Sequence, residues 1–508
     1  MKRRVFLGAT AAMPLVFAGG AWTSRARSVR WLDLLDDRQR RQVLVGRPDF
    51  DVAASLRQAL ESLPDDATLD ARDLTGVVDL ASDPFPQAQR RAFALRTGDA
   101  TFRFDFNQGS IALPSYATWQ GERTRIEPAR PIERVLTDAS PAGGLVTTAI
   151  APGLCSGRAG SDTIELSHPI EAQSLVPGMR IAIFGLRETP SLATSLASLI
   201  GPQTQEFAFA GNVDATIGAS QVYLRTGEEV VLGTVAQGRL RVSTDGRGAL
   251  GTLPAAHRAG AEIVPQLSFL ASITGVTGTS VTLDRRLPRT IVRAPFRAGS
   301  VGSRLVGRFE IDGSYQGGEA GAFSCLASTL SQDFMVEGEI ALSRASHGGF
   351  MGFGCSDAKI ALASVTAIGR PQEQFGGSIW LYGSASGNRV SAGSLSDGNG
   401  GIFIDDKSYG VSRYALEGPC DDNTVSIGQI VRHRVAGQIS GSSGNAVTIG
   451  LAQVSDTAFI VDKGAAQSSR GVGTERNMVD IGQLTGADRM FGDALNETEL
   501  RGPFRIEQ

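Results

Sequence analysis

Between Asn388 and Gly482, apolar and polar positions alternate in short runs that open on an asparagine and close on a glycine. The runs are NRVSAG from Asn388, NTVSIG from Asn423, NAVTIG from Asn445 and NMVDIG from Asn477. A period of two over four to six residues marks a half-buried β-strand, and each run is too short to bury a face alone. The starts lie 35, 22 and 32 residues apart, so the repeat is one of architecture, with loops of unequal length. Stacked, the units would pair with neighbours above and below and share one apolar column. Asparagine at the turn tolerates a left-handed backbone, and in a stack it can bond the next asparagine.

The pattern changes along the chain. Asp51 to Leu63 carries apolar residues at helical spacing and predicts a short amphipathic helix over the open end of the stack, stopped by Pro64. The arginine-rich stretch before it, with Trp31, reads as a link. ATLDARDLTGVVDL, TFRFDFNQGSIAL and ATWQGERTRIEP then read as strands between Gly, Asn and Asp turns. From 156 to 300 the asparagine-led spacing disappears, and runs such as GMRIAIFG and SQVYLRTGEEVVLG predict either a β-rich insertion or irregular coils of one long solenoid. From Arg304 the stack resumes, and the charged segment after Arg489 is expected to cover its far end.

Composition supports this reading and removes some functions. Gly 62 against Pro 21, with 42% hydrophobic and 6% aromatic residues, describes a turn-rich β protein. Lys+Arg 49 against Asp+Glu 52 leaves a net charge of -3, with no basic excess for nucleic acid. Four histidines and four cysteines without a CxxC pair predict no metal site and no cofactor. Cys325 and Cys355 either pair on neighbouring coils or stay as buried thiols.

At the start, three basic residues precede an apolar segment rich in Gly and Ala that is too short to favour spanning a membrane. Arg3-Arg4 followed by Val5-Phe6-Leu7 resembles a twin-arginine signal, with cleavage expected after Ala26 and the periplasm or exterior as destination. The helix followed by Asp70-Ala71, Ile111 to Pro114 and Trp119-Gln120-Gly121-Glu122 resembles the cap and first coils of the pectate-lyase-like right-handed parallel β-helix superfamily. The resemblance implies an all-β solenoid with an N-terminal capping helix and a β-rich insertion. The expected divisions are 1–26 signal, 48–155 cap and first coils, 156–300 insertion, 301–488 main coils and 489–508 covering segment. It also implies a secreted protein acting on a polysaccharide or oligosaccharide, without nucleic acid or stable membrane insertion, and with homo-oligomer formation left open.

Candidate chemistry gathers where charged groups interrupt the strands. In GGIFIDDKSYG, Asp405, Asp406 and Lys407 follow an apolar strand; two carboxylates can divide proton donation and water activation in glycosidic hydrolysis, or the group is a solvated turn. The partner acid is one of this pair or lies on the next coil, at Asp397, Glu373 or Asp357. Glu337 and Glu339 share a face by period two, and Arg344 and His347 follow; the plain alternative is surface ion pairs and a capping histidine. Polysaccharide lyases of this general fold often use Arg or Lys as the base, which Lys407, Tyr409 and Arg413 could supply. The Asp-rich metal cluster and the arginine-containing motif of the pectate lyases proper are not recognisable, nor are the ordered motifs of polygalacturonases. Trp380 and Tyr382 alternate onto one face, where they either stack on a sugar or pack beneath the insertion. Asp462-Lys463 and Asp421-Asp422 are later acidic turns and lesser site candidates. From residue 331 on, 20 Asp+Glu face 14 Lys+Arg, which favours a glycoside hydrolase over a lyase or epimerase, with a non-catalytic glycan-binding or surface-assembly protein as the other class.

Overall fold

The computed structural model describes residues 27–46, 48–87, 91–132, 144–188, 193–211, 221–243, 246–314, 317, 322–369, 376–406, 418–462, 476–487, 489–491, 499–501 and 506–507. The amino-terminal signal and its cleavage point lie outside these residues. Strands stack in parallel on two ladders. The first ladder runs through Ala67–Ala71, Phe93–Thr97, Ala117–Pro128, Arg304–Asp312, Met335–Ser343, Lys359–Thr366, Arg389–Ser396, Thr424–Ser440, Ala446–Asp462 and Met478–Thr485. The second runs through Gly144–Thr148, Ser324–Thr329, Gly348–Phe353, Gly377–Tyr382 and Gly400–Asp405, then the later halves of the two 17-residue strands. The expected parallel β-helix is present, with one apolar core along its length.

The asparagine-led repeat forms its seam. Asn388, Asn423, Asn445 and Asn477 are buried, and each Oδ1 of the last three accepts from the preceding asparagine. The amide-to-amide distances are 2.9, 3.1 and 3.1 Å, and each backbone N–H reaches the same oxygen at 3.0 Å. A buried amide is costly without partners, so the ladder satisfies what the repeat withdraws from water. The left-handed residue is not the asparagine. It is the residue before it: Gly387, Asp422, Gly444 and Arg476 all have positive φ, as do Asp333 and Asp357 at the same corner of earlier coils. The closing glycines stack as expected of a close approach. A Cβ at Gly428, Gly450 or Gly482 would lie 2.5, 2.6 or 2.7 Å from the glycine carbonyl of the preceding coil.

The ends differ from expectation in two places. The helix spans Val52–Ser62, N-capped by Asp51, and buries Val52, Leu56 and Leu60. The link before it is helical at Trp31–Leu34 and Asp37–Leu44; Trp31 is fully buried and its Nε1 donates to Ser55 Oγ at 3.3 Å. At the other end, Arg489–Phe491, Glu499–Arg501 and Ile506–Glu507 extend the ladders in parallel pairing.

Residues 150–299 form an 11-stranded sheet whose pairings are antiparallel. It leaves the β-helix after Gly144–Thr148 and returns at Arg304–Asp312, so it grows from a turn between the second ladder and the first. It has its own apolar clusters, and Ala182 packs on Leu330 of the β-helix. All four cysteines are buried free thiols.

Candidate functional site

On the second ladder, alternation sends Ile402 and Ile404 into the core and Phe403 and Asp405 to the opposite face. Register then stacks Phe353, Tyr382, Asp405, Ser440 and Asp462 in one column, with Met351, Trp380, Phe403 and Gln438 in the next. Ring centroids lie 3.8 Å apart for Phe353 and Tyr382, 5.5 Å for Trp380 and Tyr382, and 5.4 Å for Trp380 and Phe403. The outcome is a buried aromatic layer that ends on a carboxylate: Phe353 is 6% exposed and Trp380 and Tyr382 4% each, with Phe403 part-buried. Asp405 is 8% exposed and Asp406 1%.

The backbone around the two acids is pinned. The Asp405 carbonyl accepts from Gly383 N at 3.3 Å and from Cys420 Sγ at 3.2 Å. Asp406 N donates to Ser440 O, and Asp406 O accepts from Gly418 N, each at 3.2 Å. Lys407, Tyr409, Arg413 and Glu373 lie outside the described residues.

Other sequence candidates fall elsewhere. Glu337 and Glu339 are exposed on the first ladder, where the register shifts after Val336; Glu339 lies 3.5 Å from Arg308. Arg344 and Asp397 take left-handed corner positions on the side of the β-helix where the first ladder turns into the second. Arg344 Nε donates to Asp312 at 2.8 Å, while Asp397 accepts from Arg432 at 2.7 Å and is held below the usual carboxylate range by that bond. His347 bonds Ser346 Oγ at 2.8 Å and stacks on Phe323 at 4.1 Å. Asp357 is exposed at the opposite corner, the one that carries the inserted sheet.

His433, Arg180 and the pairing of Asp462 with the Asp405 column were not singled out by sequence. His433 is buried, with Nδ1 3.1 Å from Val431 O and Nε2 3.1 Å from Ser378 Oγ. Burial pushes its pKa down to about 4, so it is a neutral ring, with Nδ1–H donating to the carbonyl and Nε2 accepting the hydroxyl. The backbone of Asp462 shares the Asp405 column two strands on, a separation of about 9.6 Å from the usual strand spacing. Arg180, on Arg180–Glu188 of the inserted sheet, reaches Ser384 O at 3.4 Å. Its only sequence signal was a cation at the head of an apolar strand. Among the described residues, no group of three or more His, Cys, Asp or Glu side chains is placed to hold a metal ion, and no helix is long and apolar enough to cross a membrane.

No protein-family model and no curated protein matches the chain. Several solved structures are similar to it in outline. The tailspike protein gp49 from Pseudomonas phage LKA1 has 11% identity and a TM-score of 0.24, over 82% of this chain and 75% of that one. The gp54 tailspike of Acinetobacter baumannii bacteriophage AP22, in complex with A. baumannii capsular saccharide, has 9% identity and a TM-score of 0.23, over 94% and 76%. The family 28 exopolygalacturonase of Yersinia enterocolitica has 11% identity and a TM-score of 0.28, over 95% and 77%. The functional reading below rests on this chain's own residues.

Proposed function

We propose that this protein is an exported, carbohydrate-active β-helix that binds a polysaccharide along the second ladder and hydrolyses it with acids of the Asp405 column. The observation that carries the reading is the register: Asp405 and Asp462 occupy one column two strands apart, beside Tyr382, Trp380 and Phe403. Phe403, part-buried, offers a flat apolar ring face to a sugar, with Trp380 and Tyr382 buried beside it. An inverting glycosidase keeps its two acids far enough apart for a water to reach the anomeric carbon, and a backbone spacing of two strands is of that order. Asp405 is assigned proton donation to the leaving oxygen and Asp462 water activation.

The test is product analysis on a panel of polysaccharides, following new reducing ends, unsaturated uronates and the anomeric configuration first released. Inverted reducing ends that vanish in Asp405→Asn and Asp462→Asn support the reading. Unsaturated ends would transfer the site to elimination, and unchanged turnover in both variants would refute it. A second reading, binding without cleavage, is favoured by the burial of Asp405 and Asp406, since hydrolysis needs water at the acid. Retained affinity without product in the wild-type protein would decide for it.

A further inference from the structure

The inserted sheet meets the β-helix at a cleft of about 220 Å³ lined by Arg180, Phe269, Leu270, Ser272, Arg285 and Ser384. Two guanidinium groups therefore share one small space. Arg180 is part-buried and makes a single 3.4 Å bond to Ser384 O; among the described residues no carboxylate stands within ion-pair distance of it. Burial lowers its pKa and Arg285 across the cleft adds repulsion, which Asp357, beyond ion-pair distance, offsets only in part. Arg285 is exposed and its nearest anion is the adjacent Asp284, 3.5 Å away, whose carboxylate also accepts from Ser272 N at 2.9 Å.

A partly desolvated guanidinium without a counter-ion is unfavourable in the free protein, and a ligand oxyanion between two such groups would relieve it. On the opposite wall Ser384 takes one of the left-handed corner positions that recur around the coils, which fixes its carbonyl towards Arg180. The cleft is also next to the proposed site. Ser384 follows Tyr382 by two residues, Tyr382 pairs in register with Asp405, and Gly383 N bonds Asp405 O.

We infer that the Arg180–Arg285 cleft is an anion subsite, which takes a carboxylate or sulfate group of an acidic polysaccharide whose adjoining sugars lie on the second ladder. This rests on the polysaccharide reading for its ligand and on the cleft alone for its charge. The inserted sheet thereby selects the charge of the substrate, while the β-helix supplies the sugar face. A carboxylate source and a sulfate source share this chemistry and are separated by the test.

Calorimetric titration would compare a uronic-acid tetrasaccharide, its carboxyl-reduced counterpart, a sulfated tetrasaccharide and inorganic sulfate, on the full chain and on Arg180→Gln and Arg285→Gln. The expected result is a preference of about tenfold or more for an acidic tetrasaccharide over the reduced one, falling with salt. Either substitution should reduce that preference while leaving affinity for the neutral tetrasaccharide unchanged. Whichever acidic form gains the larger preference identifies the anion. Arg285→Gln, at an exposed position, keeps the test valid if Arg180→Gln fails to fold. Preference that survives both substitutions overturns the inference. If no tetrasaccharide binds the wild-type chain, the polysaccharide reading fails separately; sulfate binding lost in the variants would then still support the anion subsite, and no sulfate binding would overturn it.

Discussion

Arg247 and Arg180 both leave bulk water on the inserted sheet, and they do so in opposite ways. Arg247 is bidentate to Glu229 at 2.6 and 2.8 Å and also donates to the carbonyls of Gly201, Thr204 and Ala255. Glu229 accepts in addition from Gly248 N, Ala255 N and the His257 ring. Every group is answered from within the protein, and the knot ties three loops together. Arg180 has one long bond and a second arginine for company. Saturation marks a structural cation, and an unanswered one beside a cleft marks a binding group.

The comparison can be broken most severely at Glu229. Glu229→Gln leaves Arg247 buried without its counter-charge and should cost roughly 3–5 kcal/mol in denaturant unfolding of the inserted sheet; a loss below about 1 kcal/mol would remove the distinction. The asparagine seam offers the neutral version of the same saturation. Asn423→Ala strands the Asn388 N–H and the Ala385 carbonyl and takes one of two donors from the Asn445 amide oxygen, and should destabilise the β-helix by roughly 2–4 kcal/mol.

Acid sharpens the contrast. Burial works to raise the Glu229 pKa, but hydrogen bonds from Arg247 and His257 outweigh it and hold the carboxyl at about 2, below its ordinary 4.5. Between those values the unfolded chain binds the proton and the folded chain does not, so stability rises with pH there. The Glu229 contribution is complete above 4.5 and is lost as pH falls towards 2; pH-dependent unfolding should show that slope in the wild type and a shallower one in Glu229→Gln. The smallest effect belongs to Arg180→Gln, which gives up one 3.4 Å bond and should change stability by less than about 1 kcal/mol. A loss as large as that at Glu229 would make Arg180 structural.

What could be read from the chain was what repeats within it. The asparagine spacing exposed the seam because one residue type does the same job in four coils, whereas the left-handed position before it is filled by Gly387, Asp422, Gly444 and Arg476 and shows no type preference. Trp380 and Tyr382 were placed on one face by period two alone, and their rings meet. Glu337 and Glu339 likewise share the exposed face, between the buried Val336 and Ile340, but on the first ladder and away from Asp405. Whether Asp405 has Asp462 in its column is set by register across loops of unequal length, which alternation does not encode. Arg180 meets Ser384 across 204 residues, a contact between two separately folded sheets that no local pattern announces.

The central claim is about place, and a crystal structure with the oligosaccharide selected by the panel tests it most directly. The account predicts sugar density along the second ladder, beside Phe403 and Asp405, with an acidic group directed at Arg180 and Arg285. Density confined to the first ladder, over Ser391, Ser426 and Thr448, would contradict it.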